Sequence, residues 1–463
     1  MDATTPDADP VPVERLTPLD VSNLRVEEHG LPMHVAALAI LDARPLIDST
    51  GRLRLDAIRT HVEQRTSQAR RLRQVLVRPR LGLGPPLWVD DQGFAIERHI
   101  RTRALAAPGD EAALLAACGE LNQVPLDRSR PLWELWLLTG LSGDRVGLLI
   151  RLHHVVADGI AAIALFGSLF DLEPTASVPS APVDQPEPRP GDWFLFRSNL
   201  RDRRHAVRRM IAALGHPAGL ASRVVVWARQ AGALIRLGRA PAVSLNRPVG
   251  PNRRIMLARA DLAATKAVAH RHNAKVNDVV LTAVAGGARR LLDSRGELTA
   301  ELVLKVSVAA STRGAEQAGG NRVGIRVVPI PVGGSDPVLR LDQIATETAS
   351  QRSRPPYQPA GRVLQRWMVG VMFHQRLVNL LLSNLPGPPA PLYFAGARML
   401  EMFQVGVVQG NLALGVGVLS YAGQLNFDVV ADTDAFPDLA VFLEGLTQTL
   451  DQLGVVRDIS RRG

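Results

Sequence analysis

The chain has 463 residues, 46% of them hydrophobic, which exceeds one ordinary core and predicts two domains of roughly 200 residues each. The single cysteine excludes an intramolecular disulfide and favours the reducing cytoplasm as the compartment. The formal net charge of +10 favours anionic partners, but 4% aromatic residues and the lack of a recognition-module motif argue against nucleic acid.

The chain opens with residues 1–15, which are rich in proline and acidic residues. This segment lacks the apolar stretch of a secretory signal, so we expect a disordered tail. No later stretch reaches the ~18 consecutive apolar residues that a membrane-spanning helix requires. Shorter apolar segments at residues 35–41 and 405–419 are predicted to be strands, so we expect a soluble or peripheral protein.

The most informative segment is His153-His154-Val155-Val156-Ala157-Asp158-Gly159, which lies between apolar runs at residues 146–152 and 160–166. This order predicts a buried strand, a tight connection and an apolar helix. Adjacent residues of a strand point to opposite faces, so His153 and His154 cannot both face one reactant. We therefore expect one histidine to act as a base and the other to hold it in place.

Two other interpretations of this motif are weaker. A metal site is disfavoured because strand alternation separates the histidines, Cys118 is the single cysteine, and no second dense cluster of ligands is evident. Two ordinary core histidines would not explain the nearby Asp158 and Gly159. Because no Gly-x-Ser-x-Gly elbow is present, the motif predicts an enzyme that uses histidine as a base without a covalent intermediate, a metal or a bound cofactor.

The middle of the chain is predicted to be a linker followed by basic helices. Prolines at positions 174, 179, 182, 186, 188 and 190 indicate a linker or a surface crossover. In the next helix Val207, Met210, Ile211 and Leu214 share one face, with Arg197, Arg201, Arg204 and Arg208 on its flank. A second helix over residues 224–235 has a similar apolar side. Packing on the enzyme body is the favoured interpretation, and contact with a membrane surface is the alternative.

The histidine motif resembles the active-site motif of the acyltransferases that include chloramphenicol acetyltransferases, peptide-synthetase condensation domains and wax ester synthase/diacylglycerol acyltransferases. Other segments resemble the last family and occur in its order. They are Pro18-Leu19-Asp20, Pro32-Met33-His34-Val35, residues 125–133, Asn277-Asp278-Val279-Val280-Leu281, residues 320–323, Ser383-Asn384-Leu385-Pro386-Gly387-Pro388 and residues 419–425. The resemblance thus covers nearly the whole chain. Departures at Gly324-Ile325-Arg326 and Phe403-Gln404 concern substrate preference.

The resemblance implies an α/β fold, with two chloramphenicol-acetyltransferase-like domains that form a pseudo-dimer around an active-site tunnel. On this basis we expect a tail at 1–15 and an N-terminal subdomain with the histidine motif at 16–173. A linker and basic helical crossover would occupy 174–245, followed by a C-terminal subdomain at 246–463.

The resemblance also implies acyl transfer from a fatty acyl-CoA, as co-substrate, to diacylglycerol or a long-chain alcohol, giving triacylglycerol or wax ester. His154 would be the general base, and His153, Asp158 and Gly159 would support it: Asp158 through an ion pair, Gly159 through close backbone approach at the turn. Asn277 and Asp278 are either tunnel residues or an ordinary helix cap, and Ser383 and Asn384 are either tunnel or structural residues.

Two alternatives remain open at this stage. One is a related acyltransferase that esterifies a polyketide, a sugar or a carrier-bound acceptor, and the other is a non-catalytic lipid-binding or lipid-droplet protein. For the favoured function we expect a cytoplasmic enzyme that associates peripherally with the inner membrane face or with lipid droplets.

Overall fold

The structure, a computed structural model, describes residues 14–28, 30–80, 83–156, 162, 165–175, 186–214, 232, 238–311, 323–352 and 373–456. The helices in these ranges are α1 (Pro18–Glu27), α2 (Leu55–Thr66), α3 (Glu111–Gln123), α4 (Asp192–Leu214), α5 (Leu262–Arg271), α6 (Val276–Ser294), α7 (Pro337–Gln351) and α8 (Leu439–Gln452). The strands are β1 (His34–Asp42), β2 (Gln74–Val77), β3 (Leu87–Asp90), β4 (Ile100–Ala104), β5 (Trp133–Leu141), β6 (Arg145–His153), β7 (Arg253–Asp261), β8 (Val303–Ser311), β9 (Val323–Pro331), β10 (Leu380–Pro386), β11 (Tyr393–Phe394), β12 (Ala397–Val405), β13 (Leu414–Tyr421) and β14 (Gln424–Asp432).

The described strands form two six-stranded sheets and a separate β2-β3 pair. The first sheet has the order β11-β12-β1-β6-β5-β4 and the second the order β7-β14-β13-β10-β8-β9. Both sheets are mixed, because β4 runs parallel to β5 and β10 runs parallel to both β8 and β13. Mixed sheets combined with helices confirm the predicted α/β class.

Several helices begin where the sequence provides an aspartate. Asp110, Asp261 and Asp336 are the N-cap residues of α3, α5 and α7, and each side chain accepts a hydrogen bond from a backbone N–H of the first turn. Such a bond satisfies one of the donors that a helix start leaves free, so an aspartate at this position fixes where the helix begins.

The two central strands of the first sheet explain how the histidine motif is held. β1 and β6 are antiparallel and in register from His34 opposite His153 to Asp42 opposite Arg145. Along β6, Val146, Leu148, Ile150 and Leu152 pack into the core with α2, while Leu149, Arg151 and His153 point to the other face. The strand predicted for residues 146–152 is therefore confirmed, as is the one for 35–41.

β12 lies in the first sheet although it comes late in the chain. It pairs with β1, with Ala36 opposite Val405, and it also bonds to strands of the second sheet. Three buried side chains of β14 form hydrogen bonds with the backbone of β12 and of the residue after it. Gln424 donates to the Leu400 carbonyl at 3.0 Å, Asn426 donates to the Met402 carbonyl at 2.8 Å, and Asp428 accepts from the Gly406 N–H at 3.3 Å.

The position of β12 bears on two expectations from the sequence. The strand prediction for residues 405–419 is confirmed for its last part and wrong for the part between, because β12 ends at Val405 and β13 begins at Leu414. The division into subdomains at 16–173 and 246–463 stays a prediction; β12 belongs to the second of these in sequence while its backbone pairing places it beside β1.

Helix α4 does not pack on the enzyme as its apolar face predicted. Val207 and Ile211, expected to pack on the enzyme body, are exposed, so that interpretation is wrong for these two side chains. The second basic helix, predicted over residues 224–235, lies almost entirely outside the described residues. Within the described ranges, none of the helices combines the length and the apolar character needed to cross a bilayer.

Candidate active site

The histidine motif begins where β6 ends beside the first residue of β1. His34 and His153 are opposite each other, so their side chains lie on the same face of the sheet, with ring centroids 6.0 Å apart. Both side chains are fully buried. The backbone N–H of His153 donates to the Leu132 carbonyl at 3.0 Å, and that of His154 donates to the Met33 carbonyl at 2.8 Å. Main-chain bonds to two neighbouring segments therefore fix both histidines.

A carboxylate from α1 lies between the two buried rings. One oxygen of Glu27 is 3.4 Å from Nε2 of His34, and the other is 3.3 Å from Nε2 of His153. Arg128 donates to the second oxygen through Nε at 3.0 Å and also through Nη2. We call Glu27, His34, Arg128 and His153 the Glu27 cluster. It connects the start of the histidine motif to α1 and to the loop after α3.

The hydrogen bonds around His153 define the tautomer of its ring. Val155 donates its backbone N–H to Nδ1 of His153 at 3.0 Å, so Nδ1 is the acceptor nitrogen. The ring proton is then on Nε2, which faces the Glu27 carboxylate. Both nitrogens of His153 are thus directed at protein groups, and the ring is fully buried.

Charge balance in the cluster favours an ionised Glu27. Burial would raise its pKa, but His153, His34 and Arg128 outweigh burial and hold the pKa of Glu27 far below its usual range. Burial also lowers the pKa of His34, against the opposing effect of Glu27. Glu27 is the last residue of α1, where the helix dipole disfavours a negative charge, and Arg128 offsets this.

His154 occupies a different environment from His153. Its side chain is half-buried, whereas that of His153 is 0% exposed. This difference agrees with the expectation that the two histidines have different roles. Asp158 and Gly159, predicted to complete the motif, lie outside the described residues.

A buried ion pair joins the end of β6 to the neighbouring strand β5. Arg151 lies two residues before His153 on the same face and is 1% exposed. Its Nη2 donates to Glu134 on β5 at 2.5 Å, and its Nη1 donates to the Val124 carbonyl at 2.9 Å. The arginine therefore joins β6 to the neighbouring strand and to the end of α3.

Asp278 has a structural position in the first turn of α6. It is 1% exposed, and its carboxylate accepts from the Lys275 N–H at 2.8 Å and from the Thr348 hydroxyl at 2.7 Å. Asp278 thus bonds the start of the helix from inside its first turn: the helix begins at Val276 and the N-cap residue is Lys275, so neither Asn277 nor Asp278 is the N-cap residue itself. Its second bond also connects α6 to α7.

The structure brings Asn277 and Asn384 together. The amide of Asn384 donates to the side-chain oxygen of Asn277 at 3.2 Å, and both residues are half-buried. Next to Asn384, the Ser383 hydroxyl donates to the side-chain oxygen of Gln404 at 3.3 Å. Gln404, one of the departures from the family pattern, also donates to the Ser383 and Val418 carbonyls at 2.7 and 3.0 Å. It therefore joins β12 to the second sheet.

Glu27 and Arg128 were not predicted as site residues. A helical pattern could have singled out Glu27, because it falls three residues after the buried Leu24, on the same face of α1. Its neighbour Glu28 falls on another face and pairs with Arg78 at the surface, at 2.7 Å. Arg128 lies in a loop between α3 and β5, where periodicity gives no signal, but it falls within the 125–133 segment that resembles the family.

We expect Glu27→Gln to lower both turnover and stability. The change keeps the shape of the side chain but removes the charge that faces Arg128 and the Nε2 proton of His153, at a cost of about 1–3 kcal/mol. Thermal melts and initial rates over a range of pH measure the two effects, because a change of the pH profile would not follow from lost stability alone. Glu28→Gln is the matched control and should stay within about 0.5 kcal/mol of the native protein. Equal behaviour of the two variants would contradict a role for the Glu27 cluster.

The chain is similar to known proteins over nearly its whole length. Residues 16–280 match the family model described as the wax ester synthase/diacylglycerol acyltransferase catalytic domain, and residues 319–454 match its C-terminal domain. A relative from Mycobacterium tuberculosis, named as a candidate diacylglycerol O-acyltransferase, is 32% identical over 465 residues, which are 95% of this chain and 90% of the relative.

Two solved structures share the fold. The wax ester synthase/diacylglycerol acyltransferase from Marinobacter aquaeolei has a TM-score of 0.68 at 24% identity, with 95% of this chain and 98% of that chain covered. The starter condensation domain of rhizomide synthetase, in complex with C8-CoA and Leu-SNAC, has a TM-score of 0.60 at 16% identity, with 97% and 96% covered. Both similarities extend over both sheets.

Proposed function

Because this chain belongs to the wax ester synthase/diacylglycerol acyltransferase family and is an O-acyltransferase, we propose that it transfers a fatty acyl group from CoA to diacylglycerol or a long-chain alcohol. The products are triacylglycerol or a wax ester, and free CoA. The relative from Mycobacterium tuberculosis carries the name of a diacylglycerol acyltransferase, which supports diacylglycerol as the first acceptor to test.

The environment of His153 is the observation that carries the proposed mechanism. Its ring is fully buried, Nδ1 accepts the Val155 N–H, and Nε2 faces Glu27, so it has no nitrogen left for a substrate. The half-buried His154 is therefore the better candidate for the general base. His153 acts as a positioning residue that holds the turn into which His154 leads.

The proposed reaction proceeds by direct attack. His154 accepts the proton of the acceptor hydroxyl as its oxygen forms a bond to the thioester carbonyl carbon. The tetrahedral intermediate then collapses, the carbon–sulfur bond breaks, and the protonated histidine returns its proton to the departing CoA sulfur. Atoms and charge balance without a covalent acyl-enzyme.

Support for acyl-CoA as the donor comes from the fold. The starter condensation domain of rhizomide synthetase, which has the same architecture, was crystallised with C8-CoA. An acyl-CoA carries phosphates, and the net charge of +10 of this chain is suited to an anionic donor.

A radiolabelled acyl-CoA assay with a panel of acceptors tests the proposal. We expect label in triacylglycerol with diacylglycerol, or in a wax ester with hexadecanol. Labelled product that forms faster with a sugar or a carrier-bound acceptor would instead identify a related acyltransferase. Absence of any product, with acyl-CoA binding retained, would overturn the proposed reaction.

The proposed acceptors determine where the protein must act. Diacylglycerol and long-chain alcohols partition into membranes and lipid droplets, so the enzyme meets them at a lipid surface. We therefore propose peripheral association with the inner membrane face or with lipid droplets.

A further inference from the structure

Helix α4 carries a row of exposed apolar side chains. Its members are Trp193, Phe196, Leu200, Val207 and Ile211, which are 68%, 41%, 38%, 48% and 60% exposed. At 3.6 residues per turn they fall within an arc of about 60° around the helix axis. We call them the α4 stripe. Trp193 and Phe196 also stack on each other, with ring centroids 5.7 Å apart.

Another side of α4 holds the helix on the rest of the protein. Leu195 and Asn199 are buried, and Arg15 donates to the Leu195 carbonyl at 3.2 Å. The two acidic residues of the helix are also on this side: Asp202 lies 3.6 Å from Arg15, and Asp192 lies 3.6 Å from Arg80. Both carboxylates of the helix are therefore paired with arginines from the rest of the protein, while the α4 stripe lies away from these contacts.

Arginines border the α4 stripe on one side. Arg197, Arg201, Arg204 and Arg208 are all exposed and occupy the neighbouring arc of the helix. Since both acids of α4 are on the anchored side, this outer half of the helix combines apolar side chains with positive charge alone. Such a helix suits a surface that offers apolar depth and negative charge together.

We propose that α4 docks the protein on an anionic lipid surface, with the α4 stripe inserted at the boundary of headgroups and acyl chains and the arginines at lipid phosphates. The idea rests on the proposed function, since a lipid acceptor requires contact with such a surface. Charge complementarity and a stacked aromatic pair favour a bilayer over a protein partner, because Trp residues are enriched at membrane interfaces.

The test measures binding of the full-length protein to vesicles by co-sedimentation. Vesicles of 70% phosphatidylcholine and 30% phosphatidylglycerol are compared with pure phosphatidylcholine, at low and high salt. We expect binding to the anionic vesicles to fall with salt, and to fall roughly 100-fold at low salt in the triple variant Arg201→Gln, Arg204→Gln, Arg208→Gln. Binding that is independent of salt, or equal in this variant, would overturn the proposal.

A control variant with the same change of net charge distinguishes the contribution of α4 to vesicle binding from the contribution of the net charge of the whole protein. Arg52, Arg271 and Arg398 are exposed and lie outside α4, so their joint change to Gln should leave binding within about threefold of the native protein. An equal loss in both triple variants would mean that the net charge, and not α4, determines binding.

A second variant tests the contribution of the apolar α4 stripe to vesicle binding. Val207→Ser with Ile211→Ser removes two members of the α4 stripe from a part of the helix that is exposed, so we expect normal folding and at least tenfold weaker vesicle binding. Sedimentation equilibrium on the same variants tests a second copy of the chain as the occupant. A dimer that these changes dissociate, without any vesicle binding, would overturn the lipid assignment.

Turnover with a soluble acceptor distinguishes this proposal from the proposed function. With a short-chain alcohol and no vesicles, all α4 variants should have the native rate, because α4 supplies no group to the candidate active site. Native vesicle binding without turnover would contradict the acyltransferase mechanism alone, while native turnover without vesicle binding would contradict the α4 proposal alone.

Discussion

Replacing His154 with alanine is expected to lower transferase turnover by about 10²–10⁴-fold, the usual contribution of a general base. The change leaves the main-chain bond from His154 to the Met33 carbonyl in place, so the loss of rate should be much larger than any loss of stability. Initial rates with saturating acyl-CoA and acceptor, measured beside thermal melts, test both parts. Near-native turnover in this variant would contradict the proposed mechanism.

His153→Ala is the comparison that gives the first result its meaning. That change removes a fully buried ring that contacts Glu27 and accepts from Val155, so we expect a clear loss of stability together with a loss of rate. If His153→Ala instead abolished turnover at native stability while His154→Ala remained active, the roles of the two histidines would be reversed.

Asp428→Asn is expected to remove a large pH dependence of stability. Burial raises the pKa of Asp428 to about 8, so the folded protein holds a proton that the unfolded chain releases near its ordinary pKa of about 3.9. The stabilisation from this carboxyl is complete below pH about 4 and is lost as the pH rises to about 8. Asparagine cannot ionise, so above pH 8 the free energy of unfolding of the variant should exceed that of the native protein by a few kcal/mol. Thermal melts at pH 5.5 and 8.5 measure the difference.

Asp432→Asn is the matched control on the same strand. Its carboxylate accepts backbone N–H groups of Gly250 and Ala435 at 2.7 and 2.9 Å, so an amide there should destabilise the protein at both pH values. A native pH dependence that survives in Asp428→Asn would mean that other groups cause it.

The strand that ends at the histidines could be predicted from the sequence, but the charged side chains that contact His153 and its neighbours could not. The apolar run before His153 and the alternation of β6 are local patterns, so a short window of sequence contains them. Glu27 reaches His153 from a distant helix, and Arg128 reaches Glu27 from a loop. Such contacts depend on how helices and strands pack together, which periodicity does not report.

Helix α4 illustrates the opposite limit. Periodicity correctly placed Val207 and Ile211 on one face of a helix but did not show which face meets the enzyme. The deciding contacts are the buried Leu195 and Asn199 on another side of α4, together with the distant Arg15. An apolar helical face therefore indicates a need for burial without identifying the partner that supplies it.

The insertion of β12 beside β1 has a consequence for how the protein is made. β1 is complete at Asp42, but its neighbour β12 begins at Ala397, so the ribosome must deliver most of the chain before the two can pair. Until then β1 is an edge strand of apolar residues with unpaired backbone groups, the kind of edge that promotes association between chains. The N-terminal half is thus dependent on late synthesis, and a nascent chain truncated before Ala397 would require a chaperone to cover that edge.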